Sequence, residues 1–409
     1  MTAERRLRSP RRREVLKLGG AAFLTAGAAG TAQGARGERC PAEDGLVFAE
    51  YNVEGLTTER AFGGDDERLQ AAAEVVQRAP EPDVLTICEI DNNFQSGERS
   101  HTHTGEAFLR NYLNVPQGDG LEGVDYDYFY APESNTGVPS GIDAFKDGHA
   151  LEPGDDAYGE DAWGFGQYPG QYALGIYSKY PIDVESVRTM RRLRWRDVPG
   201  NRIPTTDVIE SELDADEEPM GWLTEAETRR FRVSSKTHAD VPIRIGDETV
   251  HAVIAHPTPP AFDGPENFNG RRNHGENKLL GDYVRGADYV YDDDGCVGGL
   301  EPDEAFVVMG DLNAEPGQGN NFDAVGEHVI DNPRINAEGT PTSPGGRAAG
   351  DERWTAAWER RADYVLPSEE FDVLDSAVYW PDPDAEPDLH ATATAASDHF
   401  MVWSEVALR

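Results

Sequence analysis

The sequence predicts an α/β fold, and three observations carry that expectation. Runs rich in β-formers recur along the chain, at Leu46-Val47-Phe48, Val84-Leu85-Thr86-Ile87, Val250 to Ala255 and Phe306-Val307-Val308-Met309. Runs this apolar and this short read as strands buried on both faces. Segments with helical spacing separate them, and most runs end on an acid, an amide or a histidine, so polar groups emerge where a rigid sheet can hold them together.

In chain order, the first run leads into Asn52 in EYNVEG. Asp65 is expected to cap a helix reaching about Arg78, with Leu69, Ala72, Ala73 and Val76 on one face. Pro80 and Pro82 end that helix, and the second strand runs from Val84 to Glu89 in TICEI. The stretch from Asp91 to Gly170 lacks periodicity and is rich in Gly, Asp and Tyr, so it reads as long loops at the sheet ends. A strand at Tyr172 to Ile182 and a charged insertion at residues 183 to 230 follow. The strand ending at Ala255 delivers His256 in IAHPTPP, and a helix carrying Leu279, Leu280, Tyr283 and Val284 leads to the strand at Phe306. Asp311 and Asn313 stand two apart in GDLN, a spacing that places both on one face of an extended segment. Gly310 lets the backbone turn closely there. Asp363 lies in Arg361-Ala362-Asp363-Tyr364-Val365, and Ser397-Asp398-His399 close the series.

These motifs, in this order, resemble the endonuclease/exonuclease/phosphatase superfamily, which includes deoxyribonucleases, abasic-site exonucleases, inositol polyphosphate phosphatases and secreted sphingomyelinases. The resemblance runs from Leu46 to the C-terminus, and GDLN and SDH are its most specific parts. It implies a four-layer α/β sandwich, two mixed β-sheets face to face with helices outside. It also implies one metal-assisted phosphoesterase site. Mg²⁺ or Mn²⁺ is the expected cofactor, because hard oxygen ligands suit an ion that keeps several waters and needs only one or two carboxylates. Glu89 and Asp398 are the metal candidates. By resemblance Asn52 lies beside the metal or orients the phosphate, Asp311 orients or deprotonates the attacking water, and Asn313 holds a phosphoryl oxygen. His256 donates to the phosphoryl oxygen or helps the leaving group, and Asp363 orients His399. Whether Asp311 or His399 takes the water's proton stays open. Lys236, in SSKTH, and Arg272, in NGRRNH, are candidates for binding substrate phosphate, or for pairing with nearby acids. The loop from Ala255 to His274 resembles a secreted bacterial and archaeal branch of the superfamily and is expected to shape the pocket.

Composition sets the surroundings of that site. Arg12-Arg13-Glu14-Val15-Leu16-Lys17 resembles a twin-arginine export signal with Val15 in place of the usual Phe, followed by a Gly/Ala-rich stretch too short to span a membrane. Residues 1–36 are read as signal and leader, and residues 37–409 as a single catalytic domain with long insertions, secreted by twin-arginine export and without stable membrane insertion. The formal charge is −39, and it reaches −44 once residues 1–34, with seven Lys/Arg and two Asp/Glu, are removed. Five lysines stand against 32 arginines, an acid-rich, lysine-poor balance expected of a protein adapted to multimolar salt, as in halophilic archaea. At 1 M salt the Debye length is only about 3 Å, so the net charge does not exclude nucleic acid as a partner. Three cysteines without a CxxC pair argue against zinc-ribbon or redox chemistry. Cys88 reads as a core residue, and Cys40 with Cys296 as a candidate disulfide. The functional expectation is a phosphatase or small phosphodiesterase acting on a phosphate-ester substrate. A nuclease is the alternative, and a non-catalytic binding protein on the same fold the third reading.

Overall fold

A computed structural model describes residues 45–92, 103–214 and 216–409. The expected leader and Cys40 lie outside the described residues. Within them, two mixed sheets stack face to face. The six-stranded sheet contains β1 (Leu46–Leu56), β2 (Val84–Ile90), β3 (Tyr128–Tyr130), β4 (Ala173–Ser178), β10 (Phe371–Val378) and β11 (Val402–Leu408), in the order β10-β11-β1-β2-β4-β3. The five-stranded sheet runs β5 (Arg188–Thr189), β6 (His238–Ile245), β7 (Glu248–Ala255), β8 (Ala305–Asp311) and β9 (Asp363–Pro367) in chain order. Each sheet is built around one parallel pair, β1 with β2 and β7 with β8, and its other pairings are antiparallel. Helices Glu67–Arg78 and Pro387–Ala396 cover the outside of the first sheet, and helix Phe268–Val284 covers the outside of the second. This is the four-layer sandwich that the resemblance implied.

The two-residue period of the strands decides what each layer sees. In β8, Val307 and Met309 belong to the core shared with the first sheet, while Phe306 and Val308 pack with Leu279, Leu280 and Tyr283 of the covering helix. Ala252 and Ile254 of β7 point inward as well, and Val253 and Ala255 outward. The hydroxyl of Thr86 in β2 reaches the sulfur of Met309 at 3.7 Å, a direct contact between the sheets. Carried two residues further, the same parity sends Asp311 and His256 to the inner face at the strand ends. Asp363 follows Val365 there, and Asn52 joins them from β1.

The structure revises several local expectations. The helix expected after Asp65 begins at Glu67, and Asp66 rather than Asp65 caps it, accepting from the amides of Arg68 at 3.2 Å and Leu69 at 3.0 Å. The Asp91 to Gly170 stretch holds ordered elements, among them helix His103–Phe108 and β3, the edge of the first sheet. Phe129 of β3 and Tyr177 of β4 pack with ring centroids 4.5 Å apart, and spaced aromatics of this kind give no periodic signal in sequence. The basic run Asn269 to His274 lies in a helix rather than a loop.

Candidate active site

Gly310 shows how closely the two central strands approach. Its φ is 151°, and a Cβ at this position would stand 1.8 Å from the carbonyl oxygen of Ala255, so only glycine permits the contact. Asp311 and His256 are thereby brought together. His256 Nε2 lies 3.3 Å from Asp311 Oδ2, with both side chains buried. Asn52 Nδ2 donates to the same carboxylate oxygen at 3.1 Å, and so does Asn313 Nδ2 at 3.1 Å, while the Asn313 amide donates to Oδ1 at 2.9 Å. His399 Nε2 stands 3.7 Å away. One buried oxygen is therefore the meeting point of four of the motifs.

Burial alone would raise the pKa of Asp311. The charge of His399, the hydrogen bond and charge of His256, and the Asn313 amide outweigh it and hold the group well below the usual carboxylate range. The reverse applies to His399. Burial would lower its pKa, but the carboxylates of Asp363, Asp311 and Asp398 hold it well above the ordinary histidine value. His399 Nδ1 faces both oxygens of Asp363 at 2.9 Å, and Thr355 Oγ1 donates to Asp363 Oδ2 at 2.6 Å. This fixes the ring and leaves Nε2 directed at the pocket. Trp358 packs edge-on against the imidazole with centroids 4.5 Å apart. Ser397, two residues upstream, donates to the carbonyl of Asn52 at 2.7 Å and accepts from the His399 amide at 3.1 Å, tying the SDH turn to β1.

Glu89 breaks the strand parity. Cys88 faces the inner layer, so a regular strand would turn Glu89 outward. Instead the registers of β2 with β1 and with β4 both shift here, and Glu89 takes φ 65°, a left-handed conformation near the end of the strand. A bulge of this kind re-aims a side chain. It brings Glu89 Oε1 within 3.3 Å of Asn52 Nδ2, where the half-buried carboxylate lines the pocket. Asp398 is exposed on the same pocket, close enough to interact electrostatically with Glu89 and His399. These two carboxylates have oxygen atoms to spare, and the donor set suits a hard divalent cation. Asp311, Asp363 and His399 also lie within 4.8 Å of one another. However, Asp363 gives its oxygens to His399 and Thr355, which makes that trio a positioning chain rather than a cation cage.

Lys236 and Arg272 both line the pocket and are both buried. Lys236 Nζ donates to the Pro257 carbonyl at 3.2 Å, and burial lowers its pKa against the charges of Glu276, Asp311 and Glu89. Arg272 is more committed, because its Nε bonds the carbonyl of Val233 and its Nη2 those of Trp163 and Arg232. The rest of the basic run separates around the helix. Arg271 pairs with Glu212, while Asn273 braces the GDLN turn through the carbonyls of Leu312 at 3.1 Å and Asn313 at 3.3 Å.

Three features of the site have no clear sequence signal. Glu276, fully buried mid-helix, accepts from the amide and hydroxyl of Ser235 at 2.6 and 2.8 Å and from the amide of Thr258 at 2.7 Å. It thus clamps the Lys236 segment to the His256 loop. Glu50 lies beneath the site, buried and without a nitrogen or oxygen donor among the described residues. Burial, then Asp363 and Asp311, push its pKa well up; its placement inside a β-former run was the only available hint. The third feature is an apolar wall. The cavity of about 1410 Å³ is lined in part by Phe145, Phe165, Met220, Phe231, Phe262 and Phe268. Phe145, Phe165 and Met220 come from the segments read as loops and insertion, and Phe262 stands 86 % exposed at the mouth.

No protein of curated function matches this sequence. Among solved structures, an endonuclease/exonuclease/phosphatase from Beutenbergia cavernae is similar over 90 % of this chain and 72 % of that one, at 16 % identity and a TM-score of 0.47. The human Nocturnin catalytic domain with bound sulfate anion matches over 89 % of this chain and 95 % of its own, at 13 % identity and TM-score 0.43. A Staphylococcus aureus beta toxin with bound magnesium ions matches over 88 % and 99 %, at 13 % identity and TM-score 0.40. A family model matches residues 49–399, which takes in every motif from Asn52 to His399. On that match the chain belongs to the endonuclease/exonuclease/phosphatase family.

Proposed function

We propose that this protein is a divalent-metal-dependent phosphoesterase that hydrolyses a phosphomonoester or a small phosphodiester by attack of water. The observation that carries the reading is the Asp311 carboxylate, buried yet ionised, with two imidazoles and two carboxamides converging on it. Glu89 and Asp398 would hold Mg²⁺ or Mn²⁺, which when bound offsets the phosphate charge that repels a nucleophile. Asp311 accepts a proton from the water as its oxygen bonds phosphorus and the P–O ester bond breaks. His399, kept protonated by Asp363, faces the developing charge on the phosphoryl oxygens. Asn52 holds Asp311 and Glu89 in register, and Lys236 adds a fixed positive charge. His256 is placed to protonate the leaving oxygen.

Two observations favour a small ester over polynucleotide. The cavity lining includes several apolar side chains besides the acids, and its volume of about 1410 Å³ leaves room for an apolar group beyond the phosphate. Three arginines lining the pocket pair with nearby acids, Arg60 with Asp66, Arg68 with Glu54 and Arg360 with Glu315, which lowers the positive charge offered to a polyanion. Cleavage of DNA or RNA is the second reading. Twin-arginine export and a high-salt habitat, supported by Arg12-Arg13 and by the lysine-poor acidity, belong to the same proposal. The deciding assay compares a phosphomonoester, small phosphodiesters with and without an apolar substituent, and plasmid DNA, in concentrated KCl with Mg²⁺ or Mn²⁺. Selective hydrolysis of a small ester, lost in Asp311→Ala and His399→Ala, supports the proposal. DNA nicking lost in both variants would transfer it to the nucleases, and silence from folded, metal-loaded protein would remove the catalytic reading.

A further inference from the structure

Away from the pocket, His274 of helix Phe268–Val284 and His328 of the turn Gly326–Ile330 point their rings at each other. Their Nε2 atoms are 3.1 Å apart, the rings nearly perpendicular, and both residues are buried. Glu327 brings an exposed carboxylate to the same place, so that one ligand atom from each of the three residues lies within 4.8 Å of the others. Arg202 Nε donates toward His274 Nε2 at 3.4 Å, and His274 Nδ1 is buried without a hydrogen-bond partner among the described residues. Burial, helped by the His328 ring and the Arg202 charge, holds the His274 pKa down to about 3, and burial lowers that of His328 too. Imidazole binds metals through the lone pair of a neutral ring, and the two Nε2 atoms face one another here.

We propose that His274, His328 and Glu327 form a second metal site, for Zn²⁺ or a similar borderline divalent ion, separate from the carboxylate site in the pocket. With Zn–N distances of about 2.0–2.1 Å, two nitrogens 3.1 Å apart subtend about 100° at a shared ion, near the tetrahedral value. Glu327, being exposed, has the freedom to swing in as the third ligand and leaves the fourth position to water. The ion replaces the long Arg202 contact, and the guanidinium keeps its place over the Phe322 ring at 4.4 Å. Nitrogen ligands discriminate this site from Glu89 and Asp398, whose oxygens suit Mg²⁺. The ion would staple the helix whose Asn273 braces GDLN to the turn that closes the loop carrying Gln318 and Asn320 at the pocket wall.

The test uses the full chain stripped by chelator, in a Glu89→Gln/Asp398→Asn background that silences the pocket carboxylates. Zn²⁺ alone is titrated against a chromophoric chelator, and Co²⁺ alone is read by its visible ligand-field absorption. The expected result is one ion per chain with micromolar or tighter affinity, a raised melting temperature, and Co²⁺ bands of low coordination number. His328→Asn is expected to weaken Zn²⁺ binding by at least about tenfold and to abolish the bands. Glu327→Gln, a surface change that leaves the core intact, gives the same direction of effect and keeps the test usable if His328→Asn fails to fold. Absence of micromolar Zn²⁺ binding, or binding unchanged by these substitutions in folded protein, would overturn the proposal and leave a simple imidazole–imidazole hydrogen bond.

Discussion

Replacing Asp363 with asparagine isolates the charge that holds His399. The amide keeps the shape of the carboxylate and an acceptor for Thr355 Oγ1, so the buried strand end stays packed. What is lost is the ionised partner lying 2.9 Å from His399 Nδ1. A hydrogen bond to a charged group contributes about 1.5–3 kcal/mol. If that stabilisation is used in the transition state, kcat falls roughly 10- to 150-fold, since about 1.4 kcal/mol is a factor of ten in rate. KM should change little, because Asp363 is too buried to meet substrate. The assay is steady-state hydrolysis of a small phosphodiester with saturating metal, alongside the His399 imidazole nitrogen shifts by NMR, which should report loss of the Nδ1-protonated, charged ring. Circular dichroism establishes that the variant is folded. A folded Asp363→Asn with kcat within about threefold of the parent would refute the positioning role, since that loss is under 1 kcal/mol.

Asn52→Ala removes the donor shared by Asp311 and Glu89 and should lower kcat about 5- to 150-fold, because losing a buried hydrogen-bond partner costs about 1–3 kcal/mol; the same hydrolysis assay reads it. Gly310→Ala forces a methyl into the Ala255 carbonyl and should destabilise the fold by about 3 kcal/mol or more in a denaturant titration, whereas a tolerated alanine would show that β7 and β8 can separate. The His399 pKa is raised from its ordinary 6.5, so its contribution to stability is complete below that value and is lost as pH rises through the folded value. The melting temperature should therefore decline across the alkaline range, and His399→Gln should flatten that decline. Asp311 has the opposite sign. Its depressed pKa gives stability above 3.8 that is lost as pH falls through the folded value, and Asp311→Asn should weaken the acid limb of the profile.

The sequence by itself determined the strands that carry the site and the identities of most side chains that meet there. The β-former runs before Asn52, Glu89, His256 and Asp311 are local signals, and a two-residue period fixes which residues share a face once a strand is known. Those runs placed His256 and Asp311 at strand ends, and the resemblance of the motifs to a known family singled them out together with Asp363 before any contact was seen. Tertiary structure decided what no local pattern encodes. Glu89 reaches the site only through a bulge that reverses its parity, and a left-handed glutamate near the end of a strand has no signature in TICEI. Glu276 and Glu50 look like ordinary helix and strand acids until the fold buries them, after which one clamps two loops and the other has its pKa pushed well up by burial. The helical twist scattered the basic run Asn269 to His274 in four directions, sending Arg272 to backbone carbonyls and His274 to a histidine more than fifty residues away. The apolar wall likewise arose from insertions without periodicity. Phe145, Phe165 and Phe231 come from separate stretches of the sequence, and their meeting at a common cavity is a property of the folded chain alone.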